Sequence, residues 1–509
     1  MEDVHYNTTL FFVLLLLFLL LSIYLLHHYY YNKKSSKNLP PSPPSLPFIG
    51  HLHLLRPHRH LSIHSLSKLY GPVVALRLGS RNAIILSSPA AVEEALIKND
   101  PVFSNRPMIK AGDVLGYKNT SIFFSPHGPH WRNLRHLISL QLFATRPLNL
   151  LARIRSNEFL SLIQSMVKTS SSGEIAFKAR FFEMTYNTIS KMVIGKSVEA
   201  DVSIQFMDII HEVIDLVSSF NPRDFFPVLG WLDLLGVERR MERIFSRLDG
   251  FITEIIEDHR RRRRRRSEGV NAGEEDEERN PLDVMLSMQE ADSETYTDDV
   301  IKGHILIMLA ANETTTETFE TAMLLLLSHP EIMKKAKTEI DMNVGHDRIL
   351  DESDLLKLPY LKNIIKETLR LSPPLQGIPP RASSGDCTIQ GYHVPRGTML
   401  FINVWGLQKD PELWDDAMSF KPERFAREKE GGIKYIPFGA GRRKCPGEHL
   451  GMRIVMAGVG ALVQCFDWEM MSKEEVDINS LLGLTVPKEK PVVAKYKVRD
   501  CMVDTLSKI

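Results

Sequence analysis

Cysteine is scarce in this chain: four in 509 residues, with no C-x-x-C pair. That excludes a disulfide-stapled scaffold. Net charge is missing too, with 63 basic side chains against 62 acidic ones, which excludes a uniformly basic nucleic-acid binder and a strongly acidic disordered chain. No internal repeat is visible. What remains, 43% hydrophobic and 25% charged residues, is the composition of a globular protein with a large core. Length alone suggests about three domains of roughly 150 residues.

One long apolar run is present. Residues 10–26 contain only Ser22 and Tyr24 as polar members, and insertion at about −0.5 kcal/mol per central Leu, Ile, Phe or Val is favourable. Tyr29, Tyr30 and Tyr31 follow as an interfacial belt, then Lys33, Lys34 and Lys37, whereas Glu2 and Asp3 precede the run. Positive charge on the C-terminal side places the rest of the chain in the cytosol. A cleaved signal peptide would want a basic start, a shorter apolar stretch and a small-residue cleavage site, none of which is found. The expected organisation is a transmembrane signal-anchor over 1–31, a proline-rich hinge over 32–50 and one large body over 51–509. Five prolines in residues 39–50 favour a stiff extended spacer.

Within the body, 73–78 and 83–86 read as a strand pair, and 387–389, 392–394 and 398–402 as further strands between glycine and proline punctuation. Most other segments are helical in period, as in Phe206, Ile209, Ile210, Val213, Ile214 and Val217. The predicted class is mainly α with a minor β portion. Seven consecutive arginines, 260–266, and the acidic run 274–278 read together as one exposed loop; no nucleic-acid partner is expected, because aromatic residues are not interleaved. The histidines at 51, 53, 58, 60 and 64 lack metal-ligand spacing and read as a polar loop facing the membrane.

The stretch Phe438-Gly439-Ala440-Gly441-Arg442-Arg443-Lys444-Cys445-Pro446-Gly447 carries the chemistry. One cysteine stands between glycines, crowded by three cations that favour the thiolate, the metal-binding form. Gly441 and Gly447 let the backbone pass close to a flat ligand. A helix with Leu450, Ile454, Gly458 and Leu462 on one face begins after Pro446, so its dipole adds to the stabilisation of an anion at Cys445. Gly439 and Gly441 also resemble the start of a dinucleotide fingerprint, but the third glycine is missing.

This stretch resembles the haem-binding loop of the cytochrome P450 monooxygenases, F-x-x-G-x-R-x-C-x-G, at every defined position. The resemblance implies haem b with Cys445 as its axial thiolate and metal ligand, Arg443 toward a haem propionate, and Phe438, Gly441 and Gly447 around the cofactor. Ala310-Ala311-Asn312-Glu313-Thr314-Thr315, a polar island between apolar segments, resembles the family's oxygen-activating stretch, in which Glu313 and Thr314 would supply protons. The family more often has glycine where Ala311 stands, and the extra methyl narrows the groove. Glu367 and Arg370, at i and i+3, resemble the E-x-x-R pair that Arg424 of Pro422-Glu423-Arg424-Phe425 would join. Trp131-Arg132-Asn133-Leu134-Arg135 resembles the W-R-x-x-R helix, with Trp131 and Arg135 near the propionates; Arg381 occupies a third such position. Residues 46–55, 70–72 and 87–89 resemble the plant family numbered eighty-one, whose members oxidise specialised metabolites.

The resemblance thus implies insertion of one atom of O2 into a lipophilic substrate, a phenolic or terpenoid. Electrons would come from NADPH through a membrane-bound NADPH–cytochrome P450 reductase, on a single-pass protein of the endoplasmic reticulum facing the cytosol. The chain has no flavin or nicotinamide site of its own. Arg442, Lys444 and Arg135 could form part of a basic docking face. Pocket walls are expected from 109–122, 207–220, 305–313, 376–379 and 481–486. The alternative is a haem-thiolate isomerase or dehydratase working without O2 or reductase; such relatives commonly lack the acid–alcohol pair that is kept here.

Overall fold

The computed structural model describes residues 38–55, 59–169, 173–197, 200–231, 233, 235–267, 280–427, 432–471 and 492–509, together with residues 14, 15, 18, 19, 21 and 22. The anchor expected over 1–31 lies almost wholly outside the described residues, as do the acidic run 274–278 and the wall 481–486. Among the described residues no helix is long and apolar enough to cross a membrane. The fold is mainly helical with a minor sheet portion.

Nine strands occur among the described residues: β1 (Val73–Leu78), β2 (Arg81–Leu86), β3 (Glu174–Ala176), β4 (Arg381–Ala382), β5 (Cys387–Ile389), β6 (Tyr392–Val394), β7 (Met399–Ile402), β8 (Phe466–Met470) and β9 (Val493–Val498). The helices that position the site are α1 (Pro129–Ile138), α2 (Ala152–Lys168), α3 (Phe177–Ile194), α4 (Ala200–Ser218), α5 (Val237–Ser267), α6 (Pro281–Ala291), α7 (Asp298–Ala310), α8 (Asn312–Ser328), α9 (Pro359–Leu371) and α10 (Glu448–Cys465). The chain divides into two compact units, one running to Phe103 and taking in Pro380–Asn403, the other comprising Ser104–Pro379 and Val404–Ile509.

The first unit is built on the sheet β1-β2-β7-β4, with β5 and β6 as a separate hairpin. β2 pairs antiparallel with β1 and parallel with β7, Ala83 opposite Met399 through Leu86 opposite Ile402. Ile84, Ile85 and Leu86 are buried in succession, as a central strand covered on both faces requires. The proline-rich stretch packs back on this sheet: Ala75 N–H donates to the Pro41 carbonyl at 2.8 Å, and Gly50 bridges to Leu78. The histidines at 51 and 60 do not lie in an exposed polar loop, and His58 lies outside the described residues. His51 is buried, its Nδ1 accepting from the Arg77 amide at 2.7 Å and its Nε2 lying 2.8 Å from the Pro43 carbonyl. His60 is buried in the helix Arg59–Tyr70.

The second unit is organised around α8. Phe319 meets Phe181 of α3 with ring centroids 4.0 Å apart. On α10 it faces Gly458, where an added Cβ would lie 2.2 Å from the ring, so only glycine permits this approach. Fully buried rings of this size each contribute roughly 1.5–3 kcal/mol by leaving water. β3, β9 and β8 form a small sheet in the same unit.

The arginine run is not a loop. Residues 260–266 form the last two turns of α5. Arg260 bonds Glu257 at 2.6 Å, Gln289 of α6 at 2.8 Å and Asp298 of α7 at 2.7 Å, while Arg263 reaches Ser287 at 3.2 Å. Helical spacing sets these two arginines on one face against an acidic neighbour, and those tertiary bonds outweigh the repulsion within the run.

His304 of α7 is almost completely buried, and neither ring nitrogen has a well-formed hydrogen bond. Burial pushes its pKa down to about 4; a poorly aligned Leu134 carbonyl opposes this and His130 adds to it. Between this value and the ordinary 6.5 the folded chain binds fewer protons than the unfolded one. Its contribution to stability is therefore complete above about pH 6.5 and lost as pH falls toward 4, on the order of 3 kcal/mol. Denaturant titrations across that range should show a shallower acid loss in His304→Leu than in the parent chain.

Candidate active site

The cysteine loop is held by its own backbone. Cys445 N–H donates to the Phe438 carbonyl at 2.9 Å, Lys444 N–H to Gly441 at 3.0 Å, and Gly439 N–H to Ile436 at 3.0 Å. Closing so tight a loop needs left-handed residues, and Gly439 (φ 72°) and Gly441 (φ 68°) provide them. A Cβ at Gly447 would come no closer than 3.7 Å to anything, so space is left beside the sulfur. Cys445 is an exposed residue, although protein crowds its thiol. Here the sequence expectation is corrected. Burial pushes the Cys445 thiol up, and the Gly447 amide, Arg135 and Lys444 only partly offset this. Desolvation in the folded loop outweighs the neighbouring cations.

Arg443 and Trp131 are brought together, but their polar groups are spent on the segment 104–125. Arg443 donates from Nε to the Ser104 carbonyl at 2.7 Å, from Nη1 to Ile122 at 3.1 Å and from Nη2 to Ser125 at 2.5 Å, and its guanidinium lies 4.3 Å from the Trp131 ring centre. Trp131 Nε1–H donates to the same Ile122 carbonyl at 3.1 Å. Arg135, one turn further along α1, is different. It is half-buried and faces Cys445, burial lowers its pKa, and no acidic group among the described residues pairs with it. Arg381 lies in the other unit, buried on β4, 3.5 Å from Asp100, and burial lowers its pKa to about 10.

The polar island lies at the junction of α7 and α8. The helix is interrupted at Ala311 despite its methyl group. The Ala311 carbonyl accepts from Thr314 Oγ1 at 3.0 Å and from Thr315 Oγ1 at 3.4 Å, so side-chain hydroxyls bond into the backbone at the break. Glu313, 1% exposed, has His211 Nε2 of α4 at 2.7 Å from Oε1 and Lys178 Nζ of α3 at 3.6 Å. Its Oε2 is buried with no protein partner. Neither basic side chain was anticipated: His211 and Glu313 are far apart in sequence, and nothing in the helical pattern of 200–218 marks one histidine as inward-turning.

Behind the loop sits a buried charge cluster. Arg370 clasps Glu367 through Nε–Oε2 at 2.7 Å and Nη2–Oε1 at 2.9 Å, and Arg424 Nε donates to Glu367 Oε1 at 2.9 Å. Arg370 Nη1 also holds the Gln408 carbonyl at 2.6 Å. Gln408, another residue the sequence did not single out, donates back to the Arg370 carbonyl at 3.0 Å and accepts from the Ile436 amide at 3.3 Å. α9 is thereby tied to the entry of the cysteine loop.

A cytochrome P450 family model matches residues 40–494. The chain is 41% identical to cytochrome P450 81Q32 of Catharanthus roseus, over 92% of this chain and 94% of the relative. It is 40% identical to an isoflavone 3'-hydroxylase of Medicago truncatula, over 91% and 93%. To a (+)-piperitol/(+)-sesamin synthase of Sesamum radiatum it is 39% identical, over 92% and 93%. This chain belongs to the cytochrome P450 family, and within it is similar to the plant family numbered eighty-one. It is a haem-dependent monooxygenase.

The residues present fit the haem of that family. The thiol of an exposed cysteine receives the Gly447 amide amid crowding protein, Gly439 and Gly447 leave space around the loop, and the half-buried Arg135 guanidinium that acts on it has no acidic partner among the described residues. Removing one partner of a buried charge cluster costs about 3–5 kcal/mol. Glu367→Gln should therefore lower the unfolding midpoint sharply in a denaturant titration and reduce the haem recovered with the protein.

Proposed function

We propose that this protein hydroxylates, or otherwise oxidatively modifies, a lipophilic plant specialised metabolite with O2 and electrons from NADPH delivered by a membrane-bound reductase. The observation that carries the reading is the exposed Cys445 with its crowded thiol, acted on by Arg135, which has no acidic partner among the described residues. In this reading Cys445 would ligate the haem iron through its thiolate and Arg135 would meet a propionate. Phe438, Gly441 and Gly447 shape the loop; Arg443 and Trp131 brace it against 104–125. Bound haem supplies the iron centre whose thiolate ligand favours O–O cleavage. Thr314 and Glu313 hold and pass protons beside it, Thr314 from a hydroxyl anchored on Ala311.

Two relatives named for isoflavone hydroxylation, at the 3' and 2' positions, and one for (+)-piperitol/(+)-sesamin formation point to a phenolic substrate class. The apolar run at 10–26 and the exposed Val228, Trp231 and Leu235 support placement on a membrane, in this reading the endoplasmic reticulum with the catalytic body in the cytosol. Arg442 and Lys444 are exposed, which supports a docking face for an acidic reductase surface, and Lys444 also pairs with Glu448 at 2.6 Å. Arg135, which acts on Cys445, is reassigned from that docking face to the cofactor site.

Carbon monoxide added to the reduced holoprotein should give the red-shifted Soret band of thiolate-ligated haem, and Cys445→Ala should abolish it; an unchanged band would remove Cys445 from the reading. In reductase-supported microsomes fed phenolic and terpenoid panels, oxygen-dependent product should be seen by mass spectrometry. Thr314→Ala should raise the share of NADPH electrons released as hydrogen peroxide, and unchanged coupling would count against its proton role.

A further inference from the structure

Glu313 is a carboxylate inside a protein core, and its surroundings are lopsided. Oε1 faces two basic side chains that reach solvent: His211, 35% exposed, with Nε2 at 2.7 Å, and Lys178, 36% exposed, with Nζ at 3.6 Å. Oε2 is buried and without a protein partner. A carboxylate placed only for stability would have both oxygens satisfied, because an unmet buried acceptor costs about 1–3 kcal/mol. Here one oxygen meets side chains that reach solvent and the other is left without a partner in the core. Imidazole at hydrogen-bond distance is suited to the outer position, since it readily takes up and releases a proton.

We propose that His211 is the outer station of a proton relay that feeds Glu313, and that Lys178 is the accessory cation that holds the carboxylate in place. This rests on the reading that Glu313 and Thr314 supply protons to the reaction. Protonated His211 gives its Nε2 proton to Glu313 Oε1 and keeps its hydrogen on Nδ1; the ring then turns Nε2 to water, takes up a proton there and turns back. Rotation of the carboxyl group carries that proton to the Oε2 side, where it is released inward and the carboxylate is restored. One proton enters for each one delivered, and no electrons change hands at these residues. His211 acts through Glu313 and is a positioning and relay residue.

The test uses the full chain with haem and two substitutions. His211→Ala removes the contact, whereas His211→Gln keeps a side-chain donor that cannot pass a proton through itself. Both should release several-fold more hydrogen peroxide per NADPH and show a changed solvent isotope effect on turnover, with the carbon monoxide band and the substrate-induced spectral shift retained. Coupling in His211→Gln equal to that of the parent would overturn the relay, since a static hydrogen bond would then suffice. A second readout is independent of turnover. The unfolding temperatures of His211→Ala, Glu313→Gln and the double variant should be non-additive, and strict additivity would show that the pair does not form. If Glu313→Gln and Thr314→Ala themselves leave coupling unchanged, the proton reading of the site falls; if they uncouple while the His211 variants do not, only the relay falls.

Discussion

A sulfur atom that must be open to a ligand yet shielded from bulk water sets the terms for the second unit. The two demands conflict, because shielding a thiol raises its pKa and disfavours the thiolate. The fold answers with a loop closed on itself, the Cys445 amide on the Phe438 carbonyl and the Gly447 amide toward Sγ. Two left-handed glycines make that closure possible. The loop also needs a rigid base, and α9 supplies one through Glu367, Arg370 and Gln408. Removing a single member of such a cluster is costly because the charge left behind has nowhere to go.

The same logic governs α8. A helix buried on every side is ordinarily apolar all round, yet the first turns of this one carry Asn312, Glu313 and Thr316, all buried. Thr316 meets Thr185 of α3 at 2.9 Å, and Glu313 meets His211 and Lys178. Each polar side chain in the core calls for a neighbour on another helix, so the chemistry of this segment also specifies how α3 and α4 pack against it. The break at Ala311 belongs to the same economy, with hydroxyls from Thr314 and Thr315 bonding to its carbonyl.

Much of this was legible locally. The strands at 73–78, 387–389 and 392–394 were readable because glycine and proline punctuate short β-branched or aromatic runs, and α4 was readable from the spacing of Phe206, Ile209 and Ile210. The cysteine loop and the Glu367–Arg370 pair could be found because their members lie within a few residues of one another. The arginine run could not. Seven like charges repel in isolation, and the acids presented by α6 and α7, Asp283, Glu290 and Asp298, favour a helix there. His51 was misjudged for a related reason, since its partners are backbone groups contributed by other segments.

The sequence by itself determined the family, and it marked the cysteine loop and the Glu313–Thr314 pair as candidates, because each is a matter of residue type at short spacing. Tertiary structure alone decided which charges are met and which are left open. It spent Arg443 on carbonyls and left Arg135 beside the sulfur without an acid, raised the Cys445 thiol against its cations, and set His211 against Glu313. The reason is physical: desolvation and pairing depend on distances between atoms from separate segments, and those distances exist only once the chain has packed.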